Sequence, residues 1–159
     1  MIYYKAIKNS VLGTIFLCWD HNGRIIQIRL SSKPETGEEA EVPETLVHVE
    51  KFLENHIDGE VPELDKRFFD LTWIKGFAKT VYGNLMKLRK GETITYGELA
   101  IFSGSPKAAR AVGSIMNKNR FPLVIPCHRV LGTQGRLVGF ASGLDNKQKL
   151  LEAESAALK

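Results

Sequence analysis

The run TYGELAIFSGSPKAARAVGSIMNK, residues 95–118, decides how the second half of this chain folds. Thr95 is a good helix cap, and it predicts a short helix over 96–102. Gly104 closes that helix. Ser105-Pro106 then has the chemistry of a second helix start, with Ser at the cap and Pro in the first turn, and predicts a helix to about 118. Two short helices around a glycine turn form a helix-turn-helix. Helical hairpins that only pack share this pattern, so the motif alone leaves both readings open.

The second helix narrows the choice. Ala109, Val112 and Met116 make an apolar stripe, while Arg110, Gly113, Ser114 and Asn117 fall on another face. That face is small and polar, with one long arginine at its start. Such a helix can press its backbone into a narrow groove, and the DNA minor groove is only about 6 Å wide. Close contact with another helix through small residues is the alternative. A single arginine at the edge suits a place in the base stack from which a base has left.

Downstream, an apolar segment over 121–125 leads into Ile125-Pro126-Cys127-His128-Arg129-Val130. A thiol, a base and a cation stand side by side behind a proline that stiffens the approach. Thiolates are strong nucleophiles near neutral pH, and adjacent positive charge favours them. Cys127 is therefore the candidate nucleophile. In extended chain His128 would point away from Cys127, so a water between them is expected. The other cysteine, Cys18, lies in a strand-like run and reads as a buried small hydrophobe, with no disulfide to Cys127. Four His and two Cys show no metal-ligand spacing, so no metal site is expected.

Upstream, 73–88 predicts a helix capped by Thr72, with Trp73, Phe77, Val81, Leu85 and Leu88 on one face. The first 30 residues read as three strands, at 1–7, 11–19 and 24–30, with a hairpin turn at 20–23. Residues 31–40 read as loop, 43–55 as helix and 56–63 as loop. Asp145 with Gln148 resembles a capping box for a last helix over 146–157. Glu154 follows Leu150 and Leu151 on an apolar face, where a carboxylate needs a partner such as His128. The fold class expected is α+β, with domains over 1–69 and 70–159. The first carries 8 Lys/Arg against 12 Asp/Glu, net −4; the second carries 14 against 6, net +8. The basic half, which also holds Cys127, is the one suited to a polyanion. No apolar run is long enough to cross a bilayer and the first residues lack a signal-peptide layout, so a cytoplasmic protein is expected, nuclear in a eukaryote.

These residues together resemble the O6-alkylguanine-DNA alkyltransferases. The resemblance rests on residues 91–100, on Ala109-Arg110-Ala111-Val112-Gly113, on Asn119 and on Pro126-Cys127-His128-Arg129-Val130. Gly139-Phe140-Ala141-Ser142-Gly143 and residues 147–154 complete it. It implies a ribonuclease H-like first domain and a winged-helix-like second one. It also implies direct repair of double-stranded DNA carrying O6-alkylguanine, bound through the minor groove by a monomer without cofactor. The alkyl group passes to Cys127 once and irreversibly. His128 deprotonates the thiol, Glu154 orients the histidine, and Asn119 ties down the active-site turn. Tyr96 helps rotate the base out and bonds to it, and Arg110 fills its place. Ala109, Gly113, Ser114, Asn117 and Thr95 lie against DNA. Val130, Phe140, Ala141 and Ser142 line the substrate, with the Ala141 N–H donating to O6. Pro126 and Arg129 are structural, Arg129 bonding between domains.

The chain departs from the family pattern in three places. Arg120 stands where proline usually follows Asn119. Phe140 carries a ring without a hydroxyl. Ala141 replaces the serine of some members. These bear on the breadth of alkyl groups accepted. Two other classes compete: a non-catalytic damage-recognition module, which lacks the acceptor cysteine, and a fused transcriptional regulator, for which the chain has neither the length nor a cysteine cluster.

Overall fold

The hairpin chemistry of residues 20–23 forms the turn expected of it. Asp20 Oδ1 accepts from the backbone N–H of Asn22 and Arg24, and Gly23 takes a φ of +73°. The turn joins β2 (Gly13–Asp20) to β3 (Ile25–Arg29), and β1 (Ile2–Asn9) pairs antiparallel with the other edge of β2. The stretch 31–40 reads as loop from its composition, yet Glu38–Glu39 forms β4, parallel to β1. The sheet order is thus β3-β2-β1-β4. No apolar signal marks β4, because backbone groups alone make the pairing. The structure, a computed structural model, describes residues 1–157 and is α+β.

Two compact units emerge: Met1–Trp73 with Arg120–Val124, and Ile74–Asn119 with Ile125 onward. In the first, α1 (Val47–Glu54) buries Val49, Phe52 and Leu53 and packs on β1. Its expected first turn is a separate 3-10 turn, Glu44–Leu46, behind Pro43. Asn9 is buried and bonds in several directions: Nδ2 donates to Leu53 O at 2.7 Å, and Oδ1 accepts from the Val11 and Leu12 N–H groups. Arg120–Val124 belongs here because Phe121 fills this core. Its ring meets Phe69 edge-on at 5.0 Å and Trp73 at 5.4 Å. Arg120 O accepts from Ile28 N–H at 2.8 Å, and its guanidinium lies 5.5 Å over the Trp73 ring. The arginine that replaces the family's proline thus has a packing partner.

In the second unit, the helix predicted over 73–88 is shorter, and α2 spans Phe77–Leu85. Thr72 does not cap it: its N–H and hydroxyl both donate to Asp70 Oδ1, and Gly76 at φ +57° leads into the helix. Trp73 shares the helical spacing but packs in the first unit. Two residues, Ile94–Thr95, form β5, which is parallel to β6 (Val130–Leu131). Then α3 (Tyr96–Phe102) starts where predicted, with Thr95 Oγ1 accepting from Glu98 N–H at 3.1 Å. Gly104 at φ +85° ends α3, and its N–H and that of Ser105 bond back to Ile101 O and Ala100 O. Next, α4 (Ala109–Asn117) begins later than Ser105-Pro106 suggests, because Ala108 N–H closes a turn onto Ser105 O first. Finally, α5 (Leu144–Ala157) already includes Asp145, so the expected capping box is absent and Gln148 bonds Glu152 instead. Val81, Leu85, Leu99, Val112, Ile125 and Leu150 form this unit's core. No helix among the described residues is long and apolar enough to cross a membrane.

Phe121→Ala should lower the unfolding free energy by about 3–5 kcal/mol, the usual cost of emptying a buried aromatic site. Urea denaturation followed by Trp fluorescence measures it.

Candidate active site

Every residue from Phe121 to Val130 except Pro122 is buried. Cys127 opens a single 3-10 turn, Cys127–Arg129, rather than lying in extended chain. The expectation that Cys127 and His128 point to opposite sides therefore fails. Side chains in such a turn diverge by about 120° per residue. The turn is held by Cys127 N–H to Ile125 O at 2.8 Å and Arg129 N–H to Pro126 O at 3.0 Å. Asn119 Nδ2 donates to Ile125 O at 2.9 Å, and its amide also bonds Cys127. Asn119 thus ties down the turn that carries the thiol.

His128 and Glu154 meet in this buried unit, with Nε2 2.7 Å from Oε1. A carboxylate only accepts, so Nε2 carries a hydrogen, and in the neutral imidazole the lone pair is then on Nδ1. Nδ1 is buried and has no hydrogen-bond partner among the described residues. Glu154 reaches this point because it lies one turn beyond buried Leu150 on the inner face of α5.

Arg129 differs from expectation. Its bonds lie within the second unit: Nη1 to Leu88 O at 3.0 Å, Nε to Glu154 Oε2 at 3.1 Å and Nη2 to Glu154 Oε1 at 2.9 Å. Gly91 N–H adds a fourth donor to Glu154 at 3.3 Å.

Lys147 is the residue that sequence reasoning missed. It is 0% exposed, and its ammonium donates to Val138 O at 2.9 Å and Gly139 O at 3.3 Å. It lies 5.8 Å from the centre of the Tyr96 ring. The Tyr96 hydroxyl donates to the same carbonyls, at 3.1 and 3.4 Å. Lysine and tyrosine together hold the loop before Phe140, Ala141 and Ser142. The only sequence signal was position: Lys147 lies two turns before Glu154 on α5, on the same face.

The remaining candidates fall on two surfaces. Phe140 is half-buried, Ala141 is exposed, and Ser142 Oγ is buried without a partner among the described residues. Val130 is buried in β6 beside Ile94. On α4, Arg110, Ser114 and Asn117 are exposed while Val112 and Met116 are buried, as the two stripes require. Ala109 is half-buried. A Cβ added at Gly113 would stand 4.0 Å from the Tyr96 ring, which brings that face of α4 close to the Tyr96 side chain. The Thr95 hydroxyl is engaged as the cap of α3.

The electrostatics follow from burial and from the charges of Cys127, His128, Arg129, Lys147 and Glu154. Burial pushes the Cys127 thiol up, opposed by the Asn119 hydrogen bond, the Lys147 charge and backbone N–H groups. Burial pushes His128 down; Glu154 raises it, and the charges of Arg129 and Lys147 lower it further. Burial would raise Glu154, but hydrogen bonds and charge from His128 and Arg129 hold it at about 2. Burial lowers Lys147, and a Cys127 thiolate would raise it. Burial and the Cys127 charge raise Tyr96. No group of three potential metal ligands occurs among the described residues. The arrangement can take a proton from a buried thiol and hold the resulting charge.

Folded Glu154 releases its proton more readily than the unfolded chain does. Its contribution to stability is therefore complete above the ordinary carboxylate range and is lost as pH falls toward about 2. Glu154→Gln should be less stable at neutral pH and lose less on acidification, as chemical denaturation at several pH values would reveal. Lys147→Met removes a cation that favours the thiolate, so the iodoacetamide reactivity of Cys127 should move to higher pH.

Residues 76–156 match the family model of the 6-O-methylguanine DNA methyltransferase DNA-binding domain. The methylated-DNA–protein-cysteine methyltransferase of Methanosarcina acetivorans is 38% identical, over 96% of this chain and 99% of its own length. The crystal structure of a Mycobacterium tuberculosis O6-methylguanine methyltransferase superposes with a TM-score of 0.75 at 26% identity, covering 99% of this chain and 94% of the other. A Mycobacterium tuberculosis structure in complex with DNA has a TM-score of 0.73 at 29% identity, over 98% and 94% of the two chains. With Cys127, His128 and Glu154 held in one buried site, and with these matches along its length, the chain belongs to the family of methylated-DNA–protein-cysteine methyltransferases.

Proposed function

We propose that the protein repairs DNA by direct reversal, moving the alkyl group of O6-alkylguanine onto Cys127 in one irreversible turnover. The observation that carries this reading is the buried His128–Glu154 pair beside the thiol, with Nε2 held by the carboxylate and Nδ1 left with its lone pair. The thiol proton passes through a water to Nδ1, Glu154 orients the ring, and the thiolate left on Cys127 balances the imidazolium that forms. The thiolate attacks the alkyl carbon in line, a C–S bond forms, and the C–O6 bond breaks with its electron pair going to guanine. The Ala141 N–H donates a hydrogen bond to the departing base, and the Tyr96 hydroxyl exchanges its bond to the Val138 and Gly139 carbonyls for one to the base. Backbone carbonyls of Cys127 and Val130 accept from the guanine amino group, which favours guanine over adenine. Phe140 and Ser142 border the alkyl group. The thioether is stable, so the protein is consumed, and no cofactor or metal takes part.

Cys127 is only 7% exposed, so a base within the duplex stack cannot reach it and must rotate out. Tyr96 assists the rotation, and exposed Arg110 fills the gap. The small face of α4 — Ala109, Gly113, Ser114 and Asn117 — enters the minor groove, with Thr95 alongside. In this reading residues 70–159 act as a winged-helix-like DNA-binding and transfer domain, and residues 1–69 as a ribonuclease H-like scaffold. Pro126 and Asn119 set the active turn. The protein works as a monomer away from membranes, in the cytoplasm or, in a eukaryote, the nucleus.

Intact mass after incubation with a duplex carrying O6-methylguanine tests this. A gain of one methyl group on the Cys127 peptide is expected. Binding to the lesion with no gain would replace this reading with non-catalytic damage recognition. Cys127→Ser should bind DNA and transfer nothing. Arg110→Ala should repair duplex DNA more slowly while its thiol still reacts with free alkylated guanine; an equal loss in both would refute its role in base rotation.

A further inference from the structure

Four donors converge on the Glu154 carboxylate: His128 Nε2, Arg129 Nε and Nη2, and Gly91 N–H. Glu154 and His128 are each 1% exposed and Arg129 is 9% exposed. A buried carboxylate facing an imidazole alone would stabilise imidazolium, since a buried charge needs an opposite one. Here the guanidinium, which stays protonated, already neutralises Glu154. Adding a proton from solvent, while the Cys127 thiol stays neutral, would leave an uncompensated positive charge on His128 in a buried site, with the Lys147 charge opposing it as well.

We propose that Arg129 is a positioning residue for alkyl transfer: by holding both oxygens of Glu154, it keeps His128 neutral with its lone pair on Nδ1. This rests on the reading of His128 as the proton acceptor for Cys127. The charged groups facing the imidazole are Glu154 and Lys147 of α5 and Arg129 of its own turn. The adjoining thiol is influenced by Asn119 and Lys147, and interacts with Tyr82 of α2 and Tyr96 of α3. Burial and the charges of Arg129 and Lys147 move His128 downward against Glu154, in agreement with the geometry. Arg129 itself neither gains nor loses a proton. Its placement explains why the arginine follows the histidine: one turn presents both to the same carboxylate.

NMR of the imidazole nitrogens in the whole protein tests the proposal without relying on transfer activity. His128 should be neutral and carry its hydrogen on Nε2 near neutral pH in the wild type. A doubly protonated His128 there would overturn the proposal. In Arg129→Gln the protonation midpoint should rise by roughly one pH unit or more. Arg129→Lys, which keeps the charge, should stay near the wild type, and decides the matter if the glutamine variant does not fold. Single-turnover methyl transfer against pH adds a second readout. Loss of charge should move the acidic limb upward, whereas a residue of purely structural value would lower the plateau and leave the limb in place. An unmoved limb refutes the proposal. If the wild type transfers nothing, the reading of Cys127 and His128 fails, while the NMR result still decides the role of Arg129.

Discussion

A carboxylate buried to 1% exposure must be paired, and the active site is arranged around that requirement. Glu154 draws in the imidazole of His128, the guanidinium of Arg129 and the backbone of Gly91. These ties link the end of α5, the turn at Cys127–Arg129 and the segment after α2. Through Arg129 the same cluster reaches Leu88 O. Removing one member would leave a buried charge without its partner, a far larger penalty than losing an exposed ion pair. The catalytic arrangement and part of the second unit's stability therefore share one set of bonds.

The second constraint is the loop around residues 138–142. Its backbone carbonyls at Val138 and Gly139 are held by Lys147 and Tyr96. Both residues are thus committed to shape and to electrostatics at once. The Lys147 ammonium favours the thiolate at Cys127, while burial opposes it. Neither effect acts alone, and burial prevails, leaving a thiol that is shielded from solvent and shifted upward. On α4, apolar Val112 and Met116 face inward, and this leaves the small residues and Arg110 to present outward.

Much of this was legible in the chain. Thr95 capped the helix it predicted because capping is a local bond between neighbours. Gly104 turned the chain because only a residue without Cβ adopts its conformation readily. The meeting of His128 with Glu154 was readable from residue type and helical spacing, because a carboxylate on an apolar helix face needs a partner. Other features were not. Trp73 fits a helical period but packs on Phe121, which arrives from a segment far along the chain. Nothing local distinguishes the two destinations. The pairing of β4 uses backbone groups, which carry no residue signature.

The sequence by itself determined the α+β class and the short helix, glycine turn and second helix that follow Thr95, and it singled out Cys127, His128 and Glu154 as candidates, because each follows from residue type, local bonding or periodicity. Only the tertiary structure decided three other things: the 3-10 turn at Cys127, the pairing of Arg129 with Glu154 within one unit, and the burial of Lys147 with its ammonium on the Val138 and Gly139 carbonyls. These depend on which charges share a low-dielectric interior. That is set by packing between residues distant in sequence, and no local pattern of residues encodes it.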